Sequence, residues 1–166
     1  MKTDFTIRQA QQSDAVELKE LFQNTVLVIN RRDYSQAEVE DWASCGNNLS
    51  NIKERIETHC FVVAVNQQSQ IVGFSSITSQ GYLHSMFVHK DFQGEGIATM
   101  LLEEIERYAI TAGITRITSE VSLTARPFFE KKGYVVEKEQ KRKANQLSLT
   151  NFLMAKEVAF LEYYNT

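Results

Sequence analysis

The sequence predicts an α/β fold of the α+β kind, one mixed, mostly antiparallel β-sheet flanked by helices, in a single domain over 1–166. Three observations carry that prediction. Helical periodicity fills the first third of the chain, β-branched and aromatic runs begin at His59, and one long amphipathic helix separates those runs from a second set of strands. With 166 residues, 43% of them hydrophobic, the chain can bury one sizeable core but hardly two.

The elements follow in order. "FTIRQA" reads as a short strand, and Ser13 opens a helical stretch with apolar residues at Val16, Leu18, Leu21, Phe22, Val26 and Ile29. "SQAEVEDWA" carries a capping box, in which Ser35 accepts from the Glu38 amide while the Glu38 carboxylate reaches back. A third short helix falls at about 50–57. "HCFVVAV", the polar turn "NQQSQ", "IVGFSSIT", Gly81 and "YLHSMFV" then describe three consecutive antiparallel strands. In the long helix, Ile97, Leu101, Ile105, Tyr108 and Ala112 form an apolar stripe. Glu103, Glu104, Glu106 and Arg107 fall largely outside it, with Glu103 and Arg107 spaced for an i,i+4 pair. "TRITSEV", "ARPFFEKKG", "YVVEKEQ" and "LSLTNFLMAKEV" read as strand, helix, strand and strand. Pro127 sits near a helix start, where its missing N–H costs little.

Composition excludes several functions. Lys plus Arg total 18 against 21 Asp plus Glu, a net charge of -3, and the longest like-charge run is "KRK" at 141–143. That argues against general nucleic-acid binding. Cys45 and Cys60 lack metal-ligand spacing and a disulfide framework, so no metal is expected. No stretch resembles a signal peptide or a membrane span, and a cytoplasmic location is expected.

The helix beginning "DFQGEGIATM" opens on two glycines, each about 1 kcal/mol worse than alanine in a helix. A strand, turn and helix in succession aim unpaired amides and the positive end of the helix dipole at one spot, which suits an anion. Glycine at 94 and 96 clears the Cβ atoms that would hold a diphosphate off those amides. A P-loop is excluded because no Gly-Lys-Ser/Thr follows. The dinucleotide fingerprint wants Gly or Ala where Thr99 stands, and wants a parallel βαβ unit rather than a meander. A plain tight turn remains the structural alternative.

"Gln93-Gly94-Glu95-Gly96-Ile97-Ala98" resembles the Gln/Arg-x-x-Gly-x-Gly/Ala motif of the GCN5-related N-acetyltransferases (GNAT), whose loop cradles the pyrophosphate of acetyl-coenzyme A. "MFVHKDFQGEG" is similar to that family's strand-to-loop passage. "ARPFFEKKGY" is similar to its Ala-x-x-x-Tyr-x-x-x-Gly-Phe segment, and the order of elements matches over nearly the whole chain. "NFLMAKEV" resembles a bacterial branch of undefined substrate.

The resemblance implies a GNAT-like acyl-coenzyme A N-acyltransferase fold with acetyl-coenzyme A as cosubstrate. It implies that Phe87 and Val88 pair through their backbone with pantetheine, and that amides from Gln93, Gly94, Glu95, Gly96, Ile97, Ala98 and Thr99 hold the phosphates. Glu95 contributes only its backbone, since its carboxylate would repel the diphosphate. Phe128 and Phe129 pack beside the thioethyl arm, and Lys132 lies near the nucleotide end or is simply solvated. Ser122 stands where the family often has Asn; its hydroxyl can bond pantetheine or cap the following helix. Phe129 stands where the family has the tyrosine that protonates the departing sulfur, and a phenyl ring donates no proton. Tyr134 is a substitute acid or else a core aromatic.

Acetyl transfer to an amine needs a neutral nucleophile, and deprotonating an alkyl amine of pKa about 10.4 at pH 7 costs roughly 4–5 kcal/mol. Period-two alternation places Tyr82, His84, Met86 and Val88 on one face of their strand and Leu83, Ser85 and Phe87 on the other. His84, with an ordinary pKa near 6.5, is the candidate base, or else a histidine bonded inside the sheet. Tyr82 falls near the family's Glu position. "NRRDYSQAEVEDWA" offers Arg31, Arg32, Asp33, Tyr34 and Trp42 toward an acceptor, with Tyr34 and Trp42 the substrate-binding candidates. The function expected is direct acetyl transfer to an amine, a small molecule by preference, in a ternary complex, by a monomer or homodimer. The alternatives are a coenzyme A-binding sensor that has lost its chemistry and a protein-lysine acetyltransferase.

Overall fold

β-Branched and aromatic residues dominate the middle of the chain because both faces of that segment are covered, and the computed structural model, which describes residues 4–158, shows the coverage directly. Strands β1 (Thr6–Gln9), β2 (Cys60–Val65), β3 (Ile71–Ile77) and β4 (Leu83–Val88) form an antiparallel sheet in the order β1-β2-β3-β4. Every residue of β3 is buried. Helices α1 (Ala15–Val28) and α3 (Leu49–Thr58) cover one face: Leu18, Leu21 and Ile52 pack with Phe61, Val63, Ile71 and Phe74. Helix α4 (Ile97–Thr111) covers the other, with Ile97, Leu101, Leu102 and Ile105 packed against Val62, Val72, Ile77 and Leu83. Helix α2 (Gln36–Ser44) starts at the predicted capping box: the Glu38 amide donates to Ser35 Oγ at 3.1 Å, and the Ser35 amide to Glu38 Oε1 at 2.9 Å.

Strands β5 (Arg116–Ser122), β6 (Val135–Lys143) and β7 (Ser148–Glu157) form a second antiparallel sheet in the order β5-β7-β6, with helix α5 (Arg126–Lys131) inserted after β5. The mixed, mostly antiparallel fold is as expected, but it opens along one seam. β4 and β5 run parallel and share one bridge, Tyr82 with Thr118, beside which Ser119 Oγ donates to the Leu83 carbonyl at 2.8 Å. Beyond that point no pairing joins them among the described residues.

Two details of α4 differ from the periodic reading. Ala112 is exposed at the helix end and Ala109 is buried in its place, while Arg107 pairs with Glu104 rather than Glu103. Glu106 is drawn inward, where it accepts from the Tyr134 hydroxyl at 2.8 Å and from Lys156 at 3.1 Å.

The position of α4 depends on Gly73. A Cβ there would stand 2.8 Å from Ile97 Cγ2 and 3.1 Å from Leu101 Cδ1, so the helix approaches β3 closely only because that atom is missing. Gly73→Val is expected to destabilise the protein by about 1–3 kcal/mol through overpacking. The midpoint of urea unfolding measures it, and an unchanged midpoint would contradict the close approach.

Candidate active site

The parted strands bound a cleft of about 740 Å³, within the range of roughly 300–1,000 Å³ usual for small-molecule sites. Ser85–Val88 line one wall and Glu120–Ser122 the other, and one end is formed by Gln93, Gly94, Gly96, Ile97, Ala98 and Thr99. At that end Gly94 has φ +77° and Gly96 φ +82°, a left-handed conformation that side chains disfavour. No protein atom lies within 4 Å of where either Cβ would point. Gly96 caps α4 and no side chain takes the first-turn amides. The loop is therefore an open, uncapped cradle of N–H groups, which fits a diphosphate. Glu95 is exposed and does not line the cleft, so its carboxylate leaves the cradle free.

Along the walls, Phe87 packs edge-on against Phe22 with centroids 5.0 Å apart and touches Phe74 and Trp42. The Val88 carbonyl accepts from Thr25 Oγ1 at 3.0 Å and Gln93 Nε2 at 2.8 Å, which occupies both of its lone pairs. Ser122 Oγ accepts from the Ala125 amide at 3.1 Å, closing the turn before α5 rather than capping the helix itself, and it also lines the cleft. Phe128 is half-buried in the wall, and Phe129 is buried behind it. Lys132 does not line the cleft; its ammonium lies over the Phe128 ring, 5.7 Å from the centroid.

Tyr134 is corrected from a catalytic candidate to a core residue. Its ring stacks edge-on to Phe129 and its hydroxyl donates to Glu106, away from the cleft lining; burial and that carboxylate raise its pKa strongly. Strict alternation along β4 is also corrected. Ser76 pairs with Ser85 but Ile77 pairs with Leu83, so the register shifts at His84 as an extra residue. Met86 and Val88 consequently join Leu83 against the α4-side core, whereas Phe87 packs on the α1 side. His84 is thereby freed to line the cleft, 5.7 Å from the His59 ring and 6.0 Å from that of Tyr82.

The electrostatics of this corner are unusual. Burial, helped by the positive charges of Arg55 and His59, lowers the His84 pKa from 6.5 to about 4, and its Nδ1 has no hydrogen-bond partner among the described residues. Burial and Arg55 also lower His59, whose Nδ1 is likewise unpartnered. Tyr82 is pushed up to about 12 by burial first and the Glu120 charge second, so it is a neutral phenol. Cys45 lines the cleft, but desolvation and the Asp41 charge raise its thiol pKa, the reverse of an activated nucleophile. Tyr34 is buried in the opposite wall, its hydroxyl donating to the Thr150 carbonyl at 2.6 Å and accepting from the Leu123 amide at 2.9 Å. Trp42 lies against it with centroids 5.7 Å apart. Arg31 caps the Tyr34 carbonyl at 3.1 Å, and neither it nor Arg32 lines the cleft.

The sequence reading missed Arg55, His59 and the buried, unpartnered Thr124 hydroxyl in the cleft wall. Ile52, Arg55, Ile56 and His59 recur at i, i+3, i+4 and i+7, so a cation inside the apolar stripe of α3 was the available signal. Among the described residues, no helix is long and apolar enough to cross a membrane, and no group of three or more His, Cys, Asp or Glu side chains is placed to hold a metal ion.

The fold and the cleft define a protein with a long groove between two parted strands that ends at an uncapped helix N-terminus. Comparison with known proteins gives that class its family. The chain matches the acetyltransferase (GNAT) domain over residues 30–157. It is 29% identical over 149 residues to the uncharacterized N-acetyltransferase YafP of Escherichia coli (strain K12), across 89% of this chain and 93% of that one. A GCN5-related N-acetyltransferase from Rhodopseudomonas palustris superposes with a TM-score of 0.89 at 27% identity, covering 95% of this chain and 97% of that one. YncA of Salmonella typhimurium, solved with acetyl-CoA, superposes with a TM-score of 0.71 at 16% identity, covering 94% and 95%. The chain belongs to the GNAT family of N-acetyltransferases, enzymes that transfer an acetyl group from acetyl-coenzyme A, as its Gln93–Ala98 loop led us to expect.

Burial of His84 has a consequence for stability. The unfolded imidazole binds a proton near pH 6.5 and the folded one only near pH 4, so between those values the unfolded state holds more protons. Stability therefore falls as pH drops through this window, by an amount on the order of 3 kcal/mol from this residue at its lower end. Urea unfolding from pH 7 to 4 is expected to show a steeper loss in the wild type than in His84→Gln; parallel curves would contradict the buried neutral imidazole.

Proposed function

We propose that the protein acetylates a small amine by direct attack within a ternary complex. The observation that carries this reading is the continuity of one cleft from the bare Gly94–Gly96 cradle at α4 to the unpartnered imidazole of His84. Bound acetyl-coenzyme A supplies an activated thioester carbonyl. The first-turn amides of α4 and the loop from Gln93 to Thr99 take its diphosphate, aided by the helix dipole. The edge of β4 at Phe87 and Val88 pairs with the pantetheine arm, for which Gln93 swings off the Val88 carbonyl that it now occupies. Phe128 packs along the thioethyl end, with Phe129 behind it, and Ser122 offers its hydroxyl to the arm.

Acceptor binding falls to the α1 and α2 side, where Trp42 and the Tyr34 ring form the wall. His84 is neutral at neutral pH and can accept a hydrogen bond from the incoming amine, orienting its lone pair toward the carbonyl. A group with a pKa of about 4 does not retain the proton, which passes on to solvent. Tyr82 remains a neutral phenol beside it. Phe129 donates no proton, so the thiolate leaves without an aromatic acid at that position.

Two measurements test this. Calorimetric titration with coenzyme A is expected to show at least about tenfold weaker binding by Gly96→Val, because a branched side chain crowds the cradle and resists the left-handed backbone. Undiminished affinity would refute the assignment of the loop. In a thiol-release assay, kcat/KM is expected to climb about tenfold per pH unit toward the pKa of the amine, with no limb at pH 6–7, and His84→Ala is expected to lower kcat. A limb near pH 6.5, or equal turnover in the variant at every pH, would remove this role for His84. An enzyme that binds coenzyme A and acetylates no free amine would favour a sensor, or a protein-lysine acetyltransferase if a lysine peptide is modified.

A further inference from the structure

Arg55 is a half-buried charge of the cleft that no described residue pairs. It projects from α3 into the same lining as His84 and Tyr82. Its guanidinium takes part in no ion pair or hydrogen bond with any described residue. Of the other charges in the lining, Arg142 meets Glu120 at 3.0 Å and Lys143 is exposed to solvent, while nearby Asp41 is taken up by the amides of Asn145, Gln146 and Leu147. The carboxylates flanking Arg55 in sequence, Glu54 and Glu57, are exposed and do not line the cleft.

A guanidinium carries five N–H donors and no acceptor, and cannot shed its proton to escape burial. Two imidazoles nearby offer no anion, and its charge is felt by both, since it helps to keep His59 and His84 neutral. A site with such a group half-desolvated beside the reacting corner is completed by an anion brought in from outside, and a planar fork matches a carboxylate through two parallel bonds.

Resting on the acetyl-transfer reading above, we infer that the acceptor is an amine that also carries a carboxylate, an amino acid or a close relative, held by Arg55 while its amino group faces His84. Arg55 thus selects the acceptor, and the neutral imidazole next to it avoids repelling or trapping the amine.

Matched pairs test this: amino acids against their carboxamides and their decarboxylated amines, with the phosphate monoester of ethanolamine as a separate arm. In the wild type the carboxylates are expected to exceed their partners by about a hundredfold in kcat/KM, mostly through KM. In Arg55→Met the ratio should collapse to within about threefold, and Arg55→Lys should recover part of it. Equal use of carboxylates and carboxamides by the wild type, a phosphate monoester preferred over every carboxylate, or a ratio unmoved in Arg55→Met would overturn the inference while leaving acetyl transfer intact. If coenzyme A binds but no amine is acetylated, the transfer reading fails, and NMR titration of the coenzyme A complex with the same pairs decides the inference alone. Saturable binding of the carboxylates that is lost in Arg55→Met supports it, and its absence in the wild type refutes it. Melting temperatures of both variants establish that they are folded.

Discussion

The parting of β4 from β5 is the constraint on which everything else depends. Two parallel strands that begin side by side, joined by the Tyr82–Thr118 bridge, would normally zip together, since unpaired backbone groups in an interior are costly. Here the seam stays open: pairing of β4 with β3 and of β5 with β7 satisfies one edge of each strand and leaves the edges that face each other unpaired beyond the bridge. β4 is paired to β3 and packed from both sides, β5 is paired to β7 along its whole length, and Ser119 closes the last shared contact with a side chain instead of an amide. The open edges leave a groove between the two sheets, and the cleft lies there.

The bulge at His84 has a similar logic. One extra residue keeps Leu83, Met86 and Val88 on the α4 core while turning His84 toward the cleft, so the reacting corner is built without giving up hydrophobic contact. Arg55 and His59 then set its electrostatics, holding the imidazole neutral. Across the cleft, Tyr34 ties α2 to β7 and to the loop before α5, and Asp41 clasps the β6–β7 turn. Those contacts fix the wall that Trp42 presents, so one side of the cleft is held by hydrogen bonds and the glycine end by backbone geometry.

Local chemistry was legible in the sequence wherever a signal and its cause lie within a few residues of each other. The Ser35–Glu38 capping box, the three-strand meander, the glycine pair and the element order around it all needed only neighbouring residues to be recognised, and so did the family. Glu95 could be set aside by charge alone.

What the tertiary structure decided is where segments distant in sequence meet. Tyr34 bonds a carbonyl 116 positions away, Tyr134 turns to Glu106 rather than to the cleft, and the register slip at His84 exists only in the pairing with β3. Arg55 enters the cleft only because α3 packs against α1 and β2. The sequence by itself determined the elements and the glycine turn that opens α4, because periodicity and backbone preference act over one turn or one strand. The faces, the seam and the neutral corner were left to packing, because burial and the fields that charges feel depend on partners that only the folded chain brings together.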